Sequence, residues 1–343
     1  MATRHRLFHP VTPNTRITWR LRYVISTHRS RKQVLVFEVC RWRERTCSGG
    51  SSRMAASGGM TFGDAIWRAS AHLDPYRHLS GLRTRRRLEA VVAGKRILVT
   101  GASEGIGRLT ALALATPEAE LVLVARRGEA LAAVAAEVEE RGGIGRMYPC
   151  DLTDEPATAA LAAQMIDLGG VDILINNAGH LTRKDLADTG MTDLRYMMAL
   201  NYFGALALTM PLVAHMRAGS GGHVINVSSI GVQIASVPRF HGYLASKAAL
   251  DAFARAAAAE TRRDGVHWTS VRMPLVRTRM IDRYAAYRRF PVMSAESAAQ
   301  VIVQAVVRRP VRLSHPVGMV AHLAGLAAPR TVERIAHHVA PWV

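Results

Sequence analysis

Arg96-Ile97-Leu98-Val99-Thr100-Gly101-Ala102-Ser103-Glu104-Gly105-Ile106-Gly107 sets the reading of this chain: a β-branched run passes straight into three glycines, and a helical period follows. Glycine lets a backbone turn tightly and approach a bound group without a Cβ in the way. The helix that begins after the turn offers free N–H groups and the positive end of its dipole, which suits a pyrophosphate. The spacing is Gly-x-x-x-Gly-x-Gly, not the commoner Gly-x-Gly-x-x-Gly. A glycine-rich turn alone also fits an ordinary strand-to-helix loop. Its place between a clear strand and a clear helix favours a nucleotide.

Outward from this turn, short apolar runs alternate with Ala-rich helical stretches. The runs are Ile97–Thr100, Leu121–Ala125, Met147–Cys150, Ile173–Asn176, His223–Val227 and His267–Val271, with a seventh at Val311–Ser314. Helical periods fall near 105–116, 128–141, 155–168, 190–217 and 243–263. Strands alternating with helices predict an α/β fold, a Rossmann-type doubly wound parallel sheet of about seven strands with helices on both faces. The expected division is a basic extension over 1–53, a helical lead-in over 54–93, a nucleotide-binding domain over 94–315 and a helical tail over 316–343.

The 343-residue chain has a formal net charge of +19, and the excess is uneven. Residues 1–60 hold 12 Lys/Arg against two acidic residues, whereas residues 101–343 are nearly balanced. This argues against a nucleic-acid partner for the main body. Residues 1–53 show no sustained helical or strand period. They read as a disordered tail or as sequence translated from too early a start, with a transit peptide or a basic arm as the other reading. Arg83–Arg87 reads as a solvated basic turn. Cys40, Cys47 and Cys150 are odd in number and lack metal spacing, which fits a reducing compartment. No run of 18 apolar residues predicts a spanning helix. The expectation is a cytoplasmic chain, with membrane association left open.

Two sets of residues carry chemistry. Arg126 and Arg127 end the second strand, where an NAD enzyme places an acidic residue for the ribose hydroxyls. Arginine favours the 2′-phosphate of NADP instead. A solvated pair is the other reading, and Glu104 in the glycine turn speaks against NADP. Tyr243 and Lys247 stand four apart on a helix and so share a face. A nearby cation favours tyrosinate, predicting a phenol pKa lowered toward working pH and a general acid or base. Lys247 is one of only four lysines in an arginine-rich chain. Alone, such a pair is a weak signal and is more often a helix-surface pair. Asn226-Val227-Ser228-Ser229 ends a buried strand upstream, placing a hydroxyl where it could bond a carbonyl oxygen.

With Thr100–Gly107, Asp151-Leu152, Asn176–Gly179, Asn201, Ser228-Ser229, Tyr243–Lys247 and Pro274 through Thr278 in this order, residues 94–315 resemble the short-chain dehydrogenase/reductase family. The resemblance implies that Tyr243 donates a proton and that Lys247 binds the nicotinamide ribose and tunes Tyr243. It further implies that Ser229 orients a carbonyl oxygen and that Asn201 holds a water in a relay with Lys247. The implied cofactor set is Gly101, Ser103, Gly105, Ile106, Gly107, Arg126, Arg127, Asp151, Leu152, Asn177, Ala178, Gly179, Val276 and Thr278, with Tyr243 and Lys247. NADP(H) is expected over NAD(H), and no metal. Two departures stand out. The interval from Ser229 to Tyr243 is one residue longer than usual, and Pro274-Leu275 replaces the usual Pro-Gly.

Less generic stretches are similar to the reductase domain of bacterial, especially actinobacterial, fatty acyl-CoA reductases. These are Ser228–Gln233, Pro238-Arg239-Phe240, Met273–Thr278 and Asn201–Ala205. The implied reaction is NADPH-dependent reduction of a long-chain acyl-CoA or fatty aldehyde. The alternatives are a ketone or alcohol oxidoreductase on 3-oxoacyl thioesters, steroids or polyketides, and a non-catalytic nucleotide sensor. Residues 279–293 combine apolar and arginine side chains, as a segment over such a substrate would, although an amphipathic surface helix reads the same way. Residues 316–340 are too short to span a bilayer. Packing on the same chain is expected first, with a subunit interface or a membrane surface as the other readings. A homodimer or homotetramer is expected from the resemblance.

Overall fold

The computed structural model describes residues 18–25, 35–42 and 82–339, apart from 235, 285, 286 and 288–291. The chain divides into two units, Met1–Gly59 and Met60–Val343. In the first, strands β1 (Thr18–Ile25) and β2 (Leu35–Trp42) pair antiparallel, with Thr18 opposite Trp42 and Ile25 opposite Leu35. This corrects the reading of residues 1–53 as lacking strand character. Trp19, Leu21 and Tyr23 alternate with Arg20 and Arg22, a period of two that the arginine content hides. The rest of the extension, and residues 54–81 of the lead-in, lie outside the described residues.

The second unit is built on seven parallel strands: β3 (Arg96–Thr100), β4 (Glu120–Ala125), β5 (Ile144–Pro149), β6 (Ile173–Asn176), β7 (Gly222–Ser229), β8 (Val266–Met273) and β9 (Arg312–Ser314). Their order is β5-β4-β3-β6-β7-β8-β9. Side chains on a strand alternate between faces, and here both faces are buried. Ile97, Val99, Ile173, Ile175 and Ile225 enter one core, while Leu98, Val122, Leu174 and Val224 enter the other. Chain order reverses between β3 and β6, which opens a crevice beyond their C-terminal ends. Edge strand β5 ends at Pro149 and leaves Met147 exposed.

Two expectations of the helices change. Arg83–Arg87 is not a turn but part of the helix Leu82–Val92, where Arg85 pairs with Glu89 one turn on. The helix expected over 190–217 is interrupted. Met191–Met198 and Ala205–Ala218 are α-helical, and Ala199–Gly204 between them is a π turn. Gly204 ends it where a Cβ would strike the carbonyl oxygen of Leu152, so the backbone here lies against the turn after β5. The run Met191–Ala218 is also long and apolar enough to cross a bilayer, where the sequence suggested no such segment. Leu208, Leu212 and Met216 nevertheless pack under the sheet, as in a core helix.

A buried ionic chain ties the helix His241–Thr261 to the sheet. Asp251 meets Arg272 of β8 at 2.5 Å and also accepts from the Ser270 hydroxyl. Arg272 reaches Gln233 at 2.7 Å, and Gln233 donates to Ser314 of β9 at 2.6 Å. Removing one member of a buried pair strands the other charge. Asp251→Ala is expected to cost about 3–5 kcal/mol. Thermal melting should fall by roughly 10 °C. The double change Asp251→Leu with Arg272→Leu should recover part of that loss, and a single variant that melts with the parent would show that the pair stabilises nothing.

Candidate active site

The crevice at the β3–β6 seam is a cleft of about 650 Å³. Thr100 organises its floor. Its hydroxyl accepts the N–H groups of Asn177 and Ala178, both at 3.0 Å, and donates to the Ile175 carbonyl at 3.3 Å. That uses the whole bonding capacity of a hydroxyl. The Asn177 side-chain amide returns a bond to the Thr100 carbonyl at 2.9 Å. Gly101 holds φ +66, and a Cβ there would sit 2.9 Å from the Ala178 Cα. At Gly107 a Cβ would strike the Gly101 carbonyl oxygen. The first strand-to-helix turn and the turn after β6 therefore share space that only glycine leaves free.

This arrangement fits a dinucleotide. The helix Gly105–Leu114 starts after Glu104, whose side chain gives no capping bond. Its first residues, Gly105 and Ile106, line the cleft, where free N–H groups and the dipole end favour an anion. The Glu104 carboxylate turns aside to Arg127 at 2.7 Å and Arg279 at 3.3 Å. Burial works to raise its pKa, but the bonds and charges of these two arginines bring it below the usual carboxylate value. Arg126 lies 3.7 Å from Asp151 and reaches the Tyr196 hydroxyl at 3.3 Å. Burial likewise opposes ionisation of Asp151, and bonds from Thr153 together with Arg126 overcome it.

Tyr243 and Lys247 occupy the first two turns of the helix His241–Thr261, with both side chains on the cleft. Lys247 is only 4% exposed and donates to the Val227 carbonyl at 2.9 Å. Burial lowers its pKa to about 8. Burial also pushes the Tyr243 phenol up to about 12. This corrects the expectation of a lowered phenol pKa: withdrawal from water disfavours the phenolate. Tyr243 therefore holds its proton at neutral pH. Ser229 closes β7 on the same cleft and accepts the Gly231 N–H at 3.1 Å.

Every cofactor or catalytic residue expected from the sequence lines the cleft except Gly107 and Asn201. Gly107 stands behind the turn it permits. Asn201 is fully buried within the π turn. Its carbonyl oxygen accepts the His180 N–H at 2.7 Å, and its amide donates to the His180 carbonyl and the Ser246 hydroxyl, both at 2.9 Å. Ser246 in turn bonds the Tyr243 carbonyl at 2.7 Å. Asn201 thus links the loop after β6 to the helix of Tyr243. Gly179 leaves the passage open, since a Cβ there would lie 3.2 Å from Asn201 Oδ1 and 3.3 Å from Lys247 Nζ.

Sequence reasoning missed several participants. Ser246 adjoins Lys247 and was open to discovery from its position three residues after Tyr243. Tyr196, which meets Arg126 and the His180 ring, carried no signal. Beyond Tyr243 the cleft turns apolar, walled by Leu181, Ile230, Val237, Phe240, Ile281 and Tyr287. Of the expected segment over the substrate, a helical turn at Arg279–Asp282 and a bridge between Val276 and Met293 are present. Arg288, Arg289 and Phe290 lie outside the described residues.

The short chain dehydrogenase family model matches residues 95–288. An uncharacterized oxidoreductase of Mycobacterium tuberculosis is 44% identical over 256 residues, covering 73% of this chain and 75% of that protein. A fatty acyl-CoA reductase of Acinetobacter baylyi is 44% identical over 251 residues, covering 71% of this chain and 85% of that protein. A fatty acyl-CoA reductase of Mycobacterium tuberculosis is 40% identical over 247 residues, covering 71% and 84%. A solved short-chain type dehydrogenase/reductase from Mycobacterium marinum superposes with a TM-score of 0.61 at 27% identity, covering 66% of this chain and 95% of that one. With a match over more than half its length and a glycine turn, seven-stranded sheet and Tyr–Lys cleft to accompany it, the chain belongs to the short-chain dehydrogenase/reductase family, oxidoreductases that work with a NAD(P) nucleotide.

Proposed function

We propose that this protein is an NADPH-dependent reductase of long-chain fatty acyl-CoA or of the derived fatty aldehyde. The observation that carries the substrate reading is the apolar chamber beyond Tyr243, between Leu181, Phe240 and Ile281. It suits an alkyl chain whose carbonyl carbon rests between Ser229 and Tyr243. The fatty acyl-CoA reductases of Acinetobacter and Mycobacterium named above support the same substrate class.

The nicotinamide cofactor supplies a hydride to the carbonyl carbon when bound. The protein supplies the rest. Ser229 and Tyr243 offer hydroxyl hydrogen bonds to the oxygen as negative charge develops on it. Tyr243, which keeps its proton at neutral pH, gives that proton to the oxygen. Lys247 holds a positive charge beneath the phenol and stabilises the tyrosinate left behind. Asn201 and Ser246 fix the loop and helix on either side. When the substrate is a thioester, hydride and proton give a hemithioacetal; its C–S bond then breaks, the C=O bond re-forms and the hydroxyl proton passes to sulfur, releasing aldehyde and free thiol.

Arg127 and Arg126 are the residues we assign to the 2′-phosphate of NADPH, since both line the cleft at the end of β4. Glu104 competes for Arg127 and tempers this preference. Asp151, Leu152 and Asn177–Gly179 are assigned to the adenine and the channel, and Val276 and Thr278 to the nicotinamide. Exposed Phe203 and Met210 support a contact with a second copy.

The deciding assay follows NADPH absorbance with a long-chain acyl-CoA while titrating released thiol, beside a fatty aldehyde and a 3-oxoacyl-CoA. Oxidation matched by thiol release is the expected result. Oxidation confined to the 3-oxo compound would sink the acyl reading and support a ketone reductase. Tyr243→Phe should lose about 10²–10⁴-fold in turnover while still binding NADPH, as expected on removal of a general acid.

Cofactor choice should respond to two substitutions. Arg127→Ala should raise KM for NADPH about tenfold and leave KM for NADH unchanged, the size of one lost charge-assisted contact. Glu104→Gln should move selectivity the other way. The pH dependence follows from Lys247. Its cation is present below about 8 and is lost as pH rises through that value. Reduction should therefore decline with one ionisation near pH 8, and a flat profile to pH 10 would remove Lys247 from this role.

A further inference from the structure

The helix Pro316–Ala327 contains no Asp, Glu, Lys or Arg in twelve residues. It is nevertheless held in a fixed place. Gly318 is buried against the turn Ile230–Gln233, where a Cβ would come 2.9 Å from the Ile230 Cβ. The His322 ring lies 3.0 Å from the Gln233 carbonyl oxygen. Ile230 and Gly231 line the cleft, so this helix is braced against the outside of the cleft wall.

Among the described residues nothing covers its other side. Met319, Val320, Leu323 and Leu326 are between 53% and 70% exposed. The helix Pro329–Val339 follows, with Ile335 also exposed. Across residues 308–339 there are five arginines, Arg308, Arg309, Arg312, Arg330 and Arg334, and a single acidic residue, Glu333. All five arginines are exposed. An exposed apolar row on a twelve-residue helix is about 18 Å long, too short to cross a bilayer. A two-fold contact through this patch would gather the arginines of both copies with only the two Glu333 carboxylates to answer them. A membrane interface accepts both features: acyl chains receive the leucines and lipid phosphates receive the arginines.

We infer that the helices Pro316–Ala327 and Pro329–Val339 seat this protein on an anionic lipid bilayer. The apolar row enters the interface and the flanking arginines meet the headgroups. The seat lies on the element that braces the cleft wall, where a substrate drawn from the same bilayer reaches the apolar chamber. That purpose rests on the acyl reading; the binding itself does not.

The test is flotation of the full chain with vesicles of phosphatidylcholine alone or mixed with phosphatidylglycerol, with no substrate present. Either this inference or the acyl reading can thus fail alone. The wild type should float with the mixed vesicles and far less with the neutral ones. Leu323→Glu with Leu326→Glu should lose about tenfold in bound fraction, and Arg330→Glu with Arg334→Glu should lose the response to phosphatidylglycerol. NADPH binding and thermal melting should match the wild type in both variants, because the substituted side chains are exposed. Three results would overturn the inference: a wild type that stays at the bottom, a leucine variant that floats equally well through the basic residues 1–60, or a leucine variant that only converts a dimer to monomer in sedimentation.

Discussion

Thr100 stands where two chain segments meet that are more than seventy residues apart, and its hydroxyl is divided among three backbone groups. Around it, Gly101 and Gly107 leave no volume for a Cβ. These contacts set the distance between the first strand-to-helix turn and the loop after β6. The cleft exists because that distance is fixed. The glycine turn is held from the other side by Asn177, and Gly179, two residues further, lies close against both Asn201 and Lys247. Nucleotide end and reaction end are thus referenced to one threonine.

The helix His241–Thr261 transmits this order outward. Tyr243, Lys247 and Asp251 follow at intervals of four along one stripe. Lys247 is fastened to the carbonyl of Val227 on β7, and Asp251 to Arg272 on β8. A cation and an anion on one buried face tie the helix to neighbouring strands, and each charge has a partner of fixed position. The Tyr243 hydroxyl is therefore placed by groups that do not react.

The sheet was legible because strands buried on both faces must be apolar at every position, as Ile97–Val99 and Ile173–Ile175 are. The cleft residues were legible because glycine spacing and the Tyr–Lys interval are local. What escaped depends on distant partners. Gly204 lies against Leu152 at the end of the π turn, and no helical period reports that. Gln233 joins Ser314 eighty-one residues away. The upward shift of Tyr243 comes from the packing around it, whereas spacing could report only the nearby cation. The strands β1 and β2 were obscured by arginines, which mimic a charge run. Arg83–Arg87 was read by charge alone, although arginine is also a good helix former.

The π turn Ala199–Gly204 makes the length of this segment matter as much as its composition. A π turn holds one residue more than an α-helix needs. Deleting any one of these residues would let the helix close into regular form, with better local hydrogen bonding. Because the π turn spreads that extra residue over the same rotation, the turns on either side would stay nearly in phase. The loss would be local: Asn201, held inside the widened turn, would shift from His180 and Ser246. A shorter version of this segment would be a more regular helix that no longer joins the loop after β6 to the helix of Tyr243, so its extra residue is kept for what it positions.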